Sequence, residues 1–127
     1  MFAEPYWDES VETLSRSELE ALQLHRLRQV LQRVALHPFY AGKLQRAGLS
    51  PTAFDSLEQV RRLPFTTKQE LREQYPYGLL CVPKDRLVRL HVSSGTTGQA
   101  TAIFYTQLDL DNWSDLLARC MHMTGAR

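Results

Sequence analysis

Ser93-Ser94-Gly95-Thr96-Thr97-Gly98 lies between Leu87-Val88-Arg89-Leu90-His91-Val92 and Thr101-Ala102-Ile103-Phe104-Tyr105-Thr106. The flanks carry the β-branched and aromatic residues that suit extended backbone. The stretch therefore reads as strand, glycine loop, strand. With helical periodicity on both sides of it, the fold class is α/β, helix-rich, with a β-hairpin around a glycine-rich loop.

The loop chemistry suits phosphate. Gly95 and Gly98 can take positive φ, so successive backbone amides can turn towards one anion. They also lack a Cβ, which lets an oxygen come close to the main chain. Ser93, Ser94, Thr96 and Thr97 add hydroxyl donors that rotate to meet an acceptor. Hydrogen bonds to a charged group contribute roughly 1.5–3 kcal/mol each. Three or four of them could hold a phosphate without a lysine. Two common nucleotide motifs are absent. The P-loop needs Lys-Ser/Thr after its last glycine, and here Gly98 is followed by Gln99-Ala100. The dinucleotide pattern G-x-G-x-x-G is missing too. The segment after the loop reads as a strand, so no helix dipole is at hand for the anion. On residue chemistry alone, an ordinary hairpin loop fits equally well.

Composition bounds the alternatives. A chain of 127 residues can bury one core. Its formal net charge of +1 gives no bulk attraction to nucleic acid or to an anionic membrane. No apolar run reaches the length that crosses a bilayer. Met1-Phe2-Ala3-Glu4-Pro5 does not read as a signal peptide. Cys81 and Cys120 have no metal-ligand spacing and read as small buried apolar residues, not as a disulfide. These features fit a cytoplasmic protein. The sequence stops at Thr124-Gly125-Ala126-Arg127, just after what reads as a finished helix, so a piece of something longer is expected.

The rest of the chain is mostly helical in pattern. Residues 15–36 carry a Ser15/Glu18 capping box and apolar residues at helical intervals, from Leu19 and Leu22 to Leu31 and Val34. His37-Pro38 ends that helix. A second helix runs from Pro38 to Gly48, with Phe39, Tyr40 and Leu44 as its buried face and Gly48 as its cap. A third helical segment is expected from Ser50-Pro51-Thr52 to Leu63-Pro64. A fourth follows Thr67, with Glu70 completing a capping box, and ends at Tyr75-Pro76. Leu79–Val82 reads as either a short strand or a buried loop. Residues 107–123 form a last amphipathic helix, with Leu110, Trp113, Leu116, Leu117, Cys120 and Met121 on its apolar side. Two regions follow: 1–78, helical, and 79–127, a strand–loop–strand–helix unit that begins a larger domain. Two strands alone are marginal in water, and an uncovered sheet edge would leave room for a homodimer.

Three stretches carry a family resemblance. Tyr6-Trp7 precedes Leu19-Glu20-Ala21-Leu22-Gln23. Leu63-Pro64-Phe65-Thr66-Thr67-Lys68 precedes Leu71-Arg72 and Tyr75-Pro76-Tyr77-Gly78. Arg89-Leu90-His91-Val92 leads into the glycine loop, with Thr101 and Tyr105-Thr106 after it. In this order they resemble the N-terminal part of the phenylacetate–CoA ligases, in the adenylate-forming superfamily. The loop alone would point only to the superfamily. The Leu-Pro-Phe-Thr-Thr-Lys block narrows it to this branch.

The resemblance implies an N-terminal fragment of the adenylate-forming fold. It implies a two-step reaction on a small carboxylic acid, phenylacetate or a related aryl acid. The carboxylate attacks the α-phosphorus of ATP, releasing pyrophosphate, and coenzyme A then displaces AMP to give a thioester. Residues 93–98 answer to the loop that steadies the β- and γ-phosphates beside Mg²⁺. Ser93, Ser94, Gly95, Thr96, Thr97, Gly98, Gln99 and Thr101 are thus the candidate ATP-binding set, with no catalytic residue and no metal ligand assigned in this chain. Where the family often has lysine and proline, this chain has Gln99 and Ala100, which removes one positive charge from the phosphates. Lys68, Lys84 or Arg89 could compensate. The adenine, ribose, magnesium and catalytic-lysine motifs of the family would lie beyond residue 127, so the chain by itself is expected to be inactive.

Other conspicuous residues read more plainly. His91 serves equally well as a positioning group near the nucleotide or as a packed structural histidine. His25, His37 and His122 are too scattered for a metal site. Arg26, Arg28, Arg33 and Arg46 lie among acids and glutamines, as on a solvated helix face, and lack the aromatics of a nucleic-acid surface. Tyr6, Trp7, Trp113 and Met121 read as packing anchors. A different class of function stays open at this point: a non-catalytic module that binds nucleotide or phosphate, or docks on a partner.

Overall fold

The computed structural model describes residues 5–93 and 100–126. Five α-helices run in chain order: α1 Glu9–Glu12, α2 Arg16–Val34, α3 Pro38–Arg46, α4 Lys68–Glu73 and α5 Gln107–Met123. Short 3-10 segments cover Leu57–Arg62 and Lys84–Arg86. Strands β1, Leu87–Ser93, and β2, Thr101–Thr106, pair antiparallel in register from Arg89↔Tyr105 to Ser93↔Thr101, with an irregularity between Leu87 and Arg89.

The helix ends follow from local hydrogen bonding. The Ser15 Oγ accepts from the Glu18 N–H at 3.3 Å, and the Glu18 carboxylate accepts from the Ser15 N–H at 2.8 Å. This is the capping box the sequence predicts, and it satisfies two otherwise orphaned donors. At the end of α3 the backbone turns left-handed at Gly48, φ 63°. The Gly48 N–H reaches the Gln45 carbonyl, and the Leu49 N–H reaches that of Leu44. Those two bonds form a Schellman cap, which explains the glycine. His37 is more than a helix stop: its Nδ1 accepts from the Phe39 N–H at 3.3 Å and caps α3.

One expected helix does not form. From Ser50 to Ser56 the chain is a turn and extended backbone, and only Leu57–Arg62 winds, as 3-10. Phe54 lies in this irregular stretch and is the most deeply buried side chain of the core. A regular helix from Pro51 gives way to an excursion that drives Phe54 between α2 and α3. Arg28 Nε holds that excursion by donating to the Phe54 carbonyl. The Leu79–Val82 stretch resolves as loop.

Leu31, Leu44 and Phe54 form the buried core, with Leu27, Ala35, Leu49 and Leu63 packed around them. Full burial of such side chains contributes about 1.5–3 kcal/mol each. The hairpin lies beside this core. Tyr77 stacks on Phe104 of β2 at 5.0 Å between ring centroids. On the other sheet face, Trp113 of α5 stacks on Tyr105 at 5.7 Å and meets His91 at 5.6 Å. The N-terminal segment crosses to α5, where Trp7 Nε1 donates to Asp115 Oδ1 at 2.7 Å and Arg119 Nε lies 3.2 Å from Glu12 Oε1.

Two readings of buried residues need correction. Trp113 and Met121 are not core: they are 47% and 52% exposed. Cys120 is exposed as well, whereas Cys81 is half-buried, and both thiols are free. The apolar stripe of α5 is present as read, but only its Leu110–Trp113 end turns towards the sheet.

Candidate functional site

The structure describes Ser93 and Thr101, the strand ends that flank residues 94–99, and what holds them together. Ser93 closes β1 and Thr101 opens β2, and the two are register partners. Their hydroxyls are hydrogen-bonded to each other at 2.5 Å. The Thr101 N–H also donates to Ser93 Oγ at 3.4 Å. Thr101 is buried. These two residues form a clasp at the loop base, where their hydroxyls spend hydrogen-bonding capacity on each other. Ser94, Gly95, Thr96, Thr97, Gly98 and Gln99 lie outside the described residues.

The far end of β2 is anchored just as firmly. Thr106 Oγ1 accepts from the Asp109 N–H at 3.3 Å, and Asp109 Oδ2 accepts from the Thr106 N–H at 2.7 Å. This capping box joins β2 directly to α5. The Thr-x-x-Asp spacing announces it in the sequence.

The three cations that could stand in for a loop lysine are placed differently. Lys84 Nζ sits 4.0 Å from the Tyr77 ring centroid, a cation–π contact. Lys84 and Arg89 line one open groove of about 330 Å³ with Tyr77, Leu90 and Phe104. Lys68 does not line that groove; it is the first residue of α4. His91 packs edge-on to Tyr105 at 4.9 Å, half-buried between strand and helix.

The most organised polar cluster was not read from the sequence. Lys43 of α3 is buried, with its Nζ 2.7 Å from each Glu70 carboxylate oxygen. It also donates to the Phe65 carbonyl and lies 5.3 Å from the Phe39 ring centroid. Glu70 in turn accepts from the Thr67 N–H at 2.7 Å. A buried ammonium is tolerated only when its protons are used. Here they tie α3 to the loop before α4 and to the α4 cap. The Lys43 hydrogen bonds, seconded by the Thr67 amide, hold the Glu70 carboxyl down at about 2. One signal was available: Lys43 follows Phe39 by one helical turn and sits next to Leu44, inside the buried arc of α3. Burial also raises the Cys81 thiol and the Tyr40 phenol above their ordinary ranges.

The likeness to known proteins covers this whole framework. The chain is 44% identical over 116 residues to the phenylacetate–coenzyme A ligase of Escherichia coli K12, covering 91% of this chain and 26% of that protein. It is 44% identical over 118 residues to the phenylacetate–coenzyme A ligase of Thermus thermophilus, covering 92% and 26%. It is 41% identical over 118 residues to that of Pseudomonas putida, covering 92% and 27%. No family model matches the chain. Over nine-tenths of its own length the chain is a homologue of the phenylacetate–CoA ligases, and it spans about a quarter of the length of these curated relatives.

Proposed function

We propose that this chain is the N-terminal part of an AMP-forming acid–CoA ligase with the adenylate-forming fold, acting on phenylacetate or a related aryl acid. The observation that carries the reading is the 44% identity to two phenylacetate–coenzyme A ligases across nine-tenths of the chain. The geometry supports it at one point. The Ser93–Thr101 clasp joins the strand ends on either side of residues 94–99, and β2 continues without a break into the capped helix α5. A short loop pinned at its base loses less entropy on gripping an anion.

In this reading Ser94, Gly95, Thr96, Thr97 and Gly98 supply the amides and hydroxyls for the β- and γ-phosphates of ATP, and Gln99 adds a neutral donor. Ser93 and Thr101 hold the loop base and contribute whatever hydrogen-bonding capacity their mutual bond leaves. Donors preset around the pyrophosphate stabilise it as it leaves. Mg²⁺, when bound, shares the phosphate charge, and coenzyme A accepts the acyl group in the second step. Residues 1–78 serve as helical support and 79–127 as the phosphate-binding unit that opens a larger domain.

The test is an ATP titration of the 127-residue chain followed by amide shifts. Weak binding centred on Gly95 and Gly98 is expected. Shifts confined to other residues would contradict the loop assignment. Pyrophosphate release by this chain with ATP, phenylacetate and CoA is expected at background.

A further inference from the structure

Strand β1 leads to residues 94–99, yet little of it is packed. Of its seven residues only Leu87 and His91 are half-buried, and the other five are exposed. Leu87 stands at the start of the strand. His91 is therefore the packed side chain at the end next to Ser93. Two other elements hold it. Its ring lies 4.9 Å from that of Tyr105 on β2 and 5.6 Å from that of Trp113 on α5, both contacts T-shaped. Tyr105 and Trp113 stack on each other at 5.7 Å, which closes the triangle. Aromatic pairs prefer such edge-on and offset arrangements.

The triangle adjoins the Ser93–Thr101 clasp. His91 and Ser93 are two residues apart on one strand, so their side chains share a sheet face. Their register partners Ile103 and Thr101 lie opposite on β2. The packed ring and the hydroxyl bond thus occupy successive rungs of one face. Val92, between them, points to the other face and is 52% exposed. Helix α5 follows β2 without a break, so those two elements are joined covalently. β1 is set apart from them in the chain, and its aromatic contact with α5 is made by His91.

We propose that His91 is a positioning residue. Wedged against Tyr105 and Trp113, it holds the end of β1 on α5 and so sets the Ser93–Thr101 rung from which residues 94–99 depart. Its bearing on ATP rests on the function proposed above. The flat ring does this, not a nitrogen that ionises or donates. Both neighbours are aromatic rings in T-shaped contact, which a phenyl group repeats and an amide side chain does not.

Three variants separate these properties. His91→Phe keeps a flat ring, His91→Gln keeps hydrogen bonding without one, and His91→Ala removes both. The first readout is amide hydrogen exchange in the 127-residue chain at Thr101, whose N–H donates to Ser93 Oγ. Exchange is expected to speed up by about 10-fold or more in His91→Gln and His91→Ala, as the rung opens more often, and to stay near the parent rate in His91→Phe. Amides of Leu31 and Leu44, in the helical core, are expected to keep their rates in all three. The second readout is initial rates in a hybrid where this chain replaces the matched quarter of the E. coli phenylacetate–coenzyme A ligase. There kcat/KM for ATP is expected to fall about 10-fold with Gln or Ala and to recover with Phe, while KM for phenylacetate stays within about 2-fold. Unchanged Thr101 exchange in Gln and Ala, or a Phe variant as disturbed as Ala, would overturn the proposal. So would a Gln variant that matches the parent, which would assign the role to a hydrogen-bonding nitrogen. Faster exchange at Leu31 and Leu44 too, or equal losses for ATP and phenylacetate, would show general loosening and count against it. Where His91→Ala does not fold, Gln against Phe carries the comparison. A hybrid that is inactive with His91 in place removes the ligase reading, and Thr101 exchange still decides the role of the ring.

Discussion

The helical half and the hairpin half of this molecule solve the same problem differently. Around Leu31, Leu44 and Phe54 the chain closes on itself, and even a lysine is buried there with every contact satisfied. Around β1, β2 and α5 the local structure is equally well made, with a capping box and an aromatic cluster, yet Val92, Ile103, Leu116 and Leu117 remain half-exposed. Local hydrogen bonding and sequence pattern fix an element's shape, but burial of its apolar face depends on what lies beside it. Among the described residues, the fully buried apolar side chains all belong to the first half, although Leu36 and Phe65 there are exposed too, and the second half has none.

That contrast can be broken most forcefully at Phe54. Phe54→Ala is expected to cost about 3–5 kcal/mol in urea unfolding, because it empties the centre of the closed half. Leu116→Ala is expected to cost less than about 1 kcal/mol, since its side chain is already half in water. Equal costs would show that the two halves share one core after all.

Gly78 tests the seam between them. A Cβ there would stand 2.7 Å from the Gln74 carbonyl oxygen, and the Gly78 N–H already donates to that carbonyl. Gly78→Ala is expected to destabilise by about 1–3 kcal/mol through this backbone clash, measured by thermal unfolding. An unchanged melting temperature would mean that the turn after α4 yields freely.

The Lys43–Glu70 pair sharpens the picture of the closed half through pH. Glu70 is held at about 2 in the folded state against an ordinary 4.5. Its stabilising contribution is therefore complete above about pH 4.5 and is lost as the pH falls towards 2. Lys43→Met removes the main cause of the depression. The variant is expected to be less stable near neutral pH, by less than Phe54→Ala, and to lose less stability across that acid window. Urea midpoints at several pH values check this. Parallel acid limbs for the two proteins would show that Lys43 does not set the Glu70 titration.

The smallest expected effect concerns the loop. Gln99→Lys adds a positive charge beside the proposed phosphate-binding residues and is expected to tighten ATP binding by up to about fivefold, read by titration. No change would mean that Lys84, Arg89 or Lys68 already meets the phosphates.

Much of this architecture was legible in residues 15–48 and 87–123. Ser15/Glu18, Gly48 and the β-branched and aromatic residues on either side of residues 94–99 each carry a local signal strong enough to set an element. Of the helical segment expected from Ser50-Pro51-Thr52 to Leu63-Pro64, the first half was misread, because residues 50–56 leave the helix where Phe54 is buried, and only Leu57–Arg62 winds, as 3-10. Trp113 and Met121 were misread for the opposite reason: an apolar stripe records what a helix is built to bury, not whether the cover is present. Lys43 was missed because its partners, Phe65 and Glu70, are 22 and 27 residues away, and no local pattern encodes such pairing. In the candidate site, the phosphate-binding reading of Gly95, Gly98 and their hydroxyl neighbours falls on residues outside those described. The clasp between Ser93 and Thr101 was not legible, since it appears only once the strands are in register.

The most direct test of the ligase reading replaces the matched quarter of the E. coli phenylacetate–coenzyme A ligase with this chain. Pyrophosphate release is then measured with ATP, phenylacetate and CoA, before and after Gly95→Val with Gly98→Val. Turnover is expected in the hybrid, with a fall of about 100-fold or more in the double variant, the scale associated with lost transition-state donors. A folded hybrid that releases no pyrophosphate, or one indifferent to the two valines, would contradict the ligase reading.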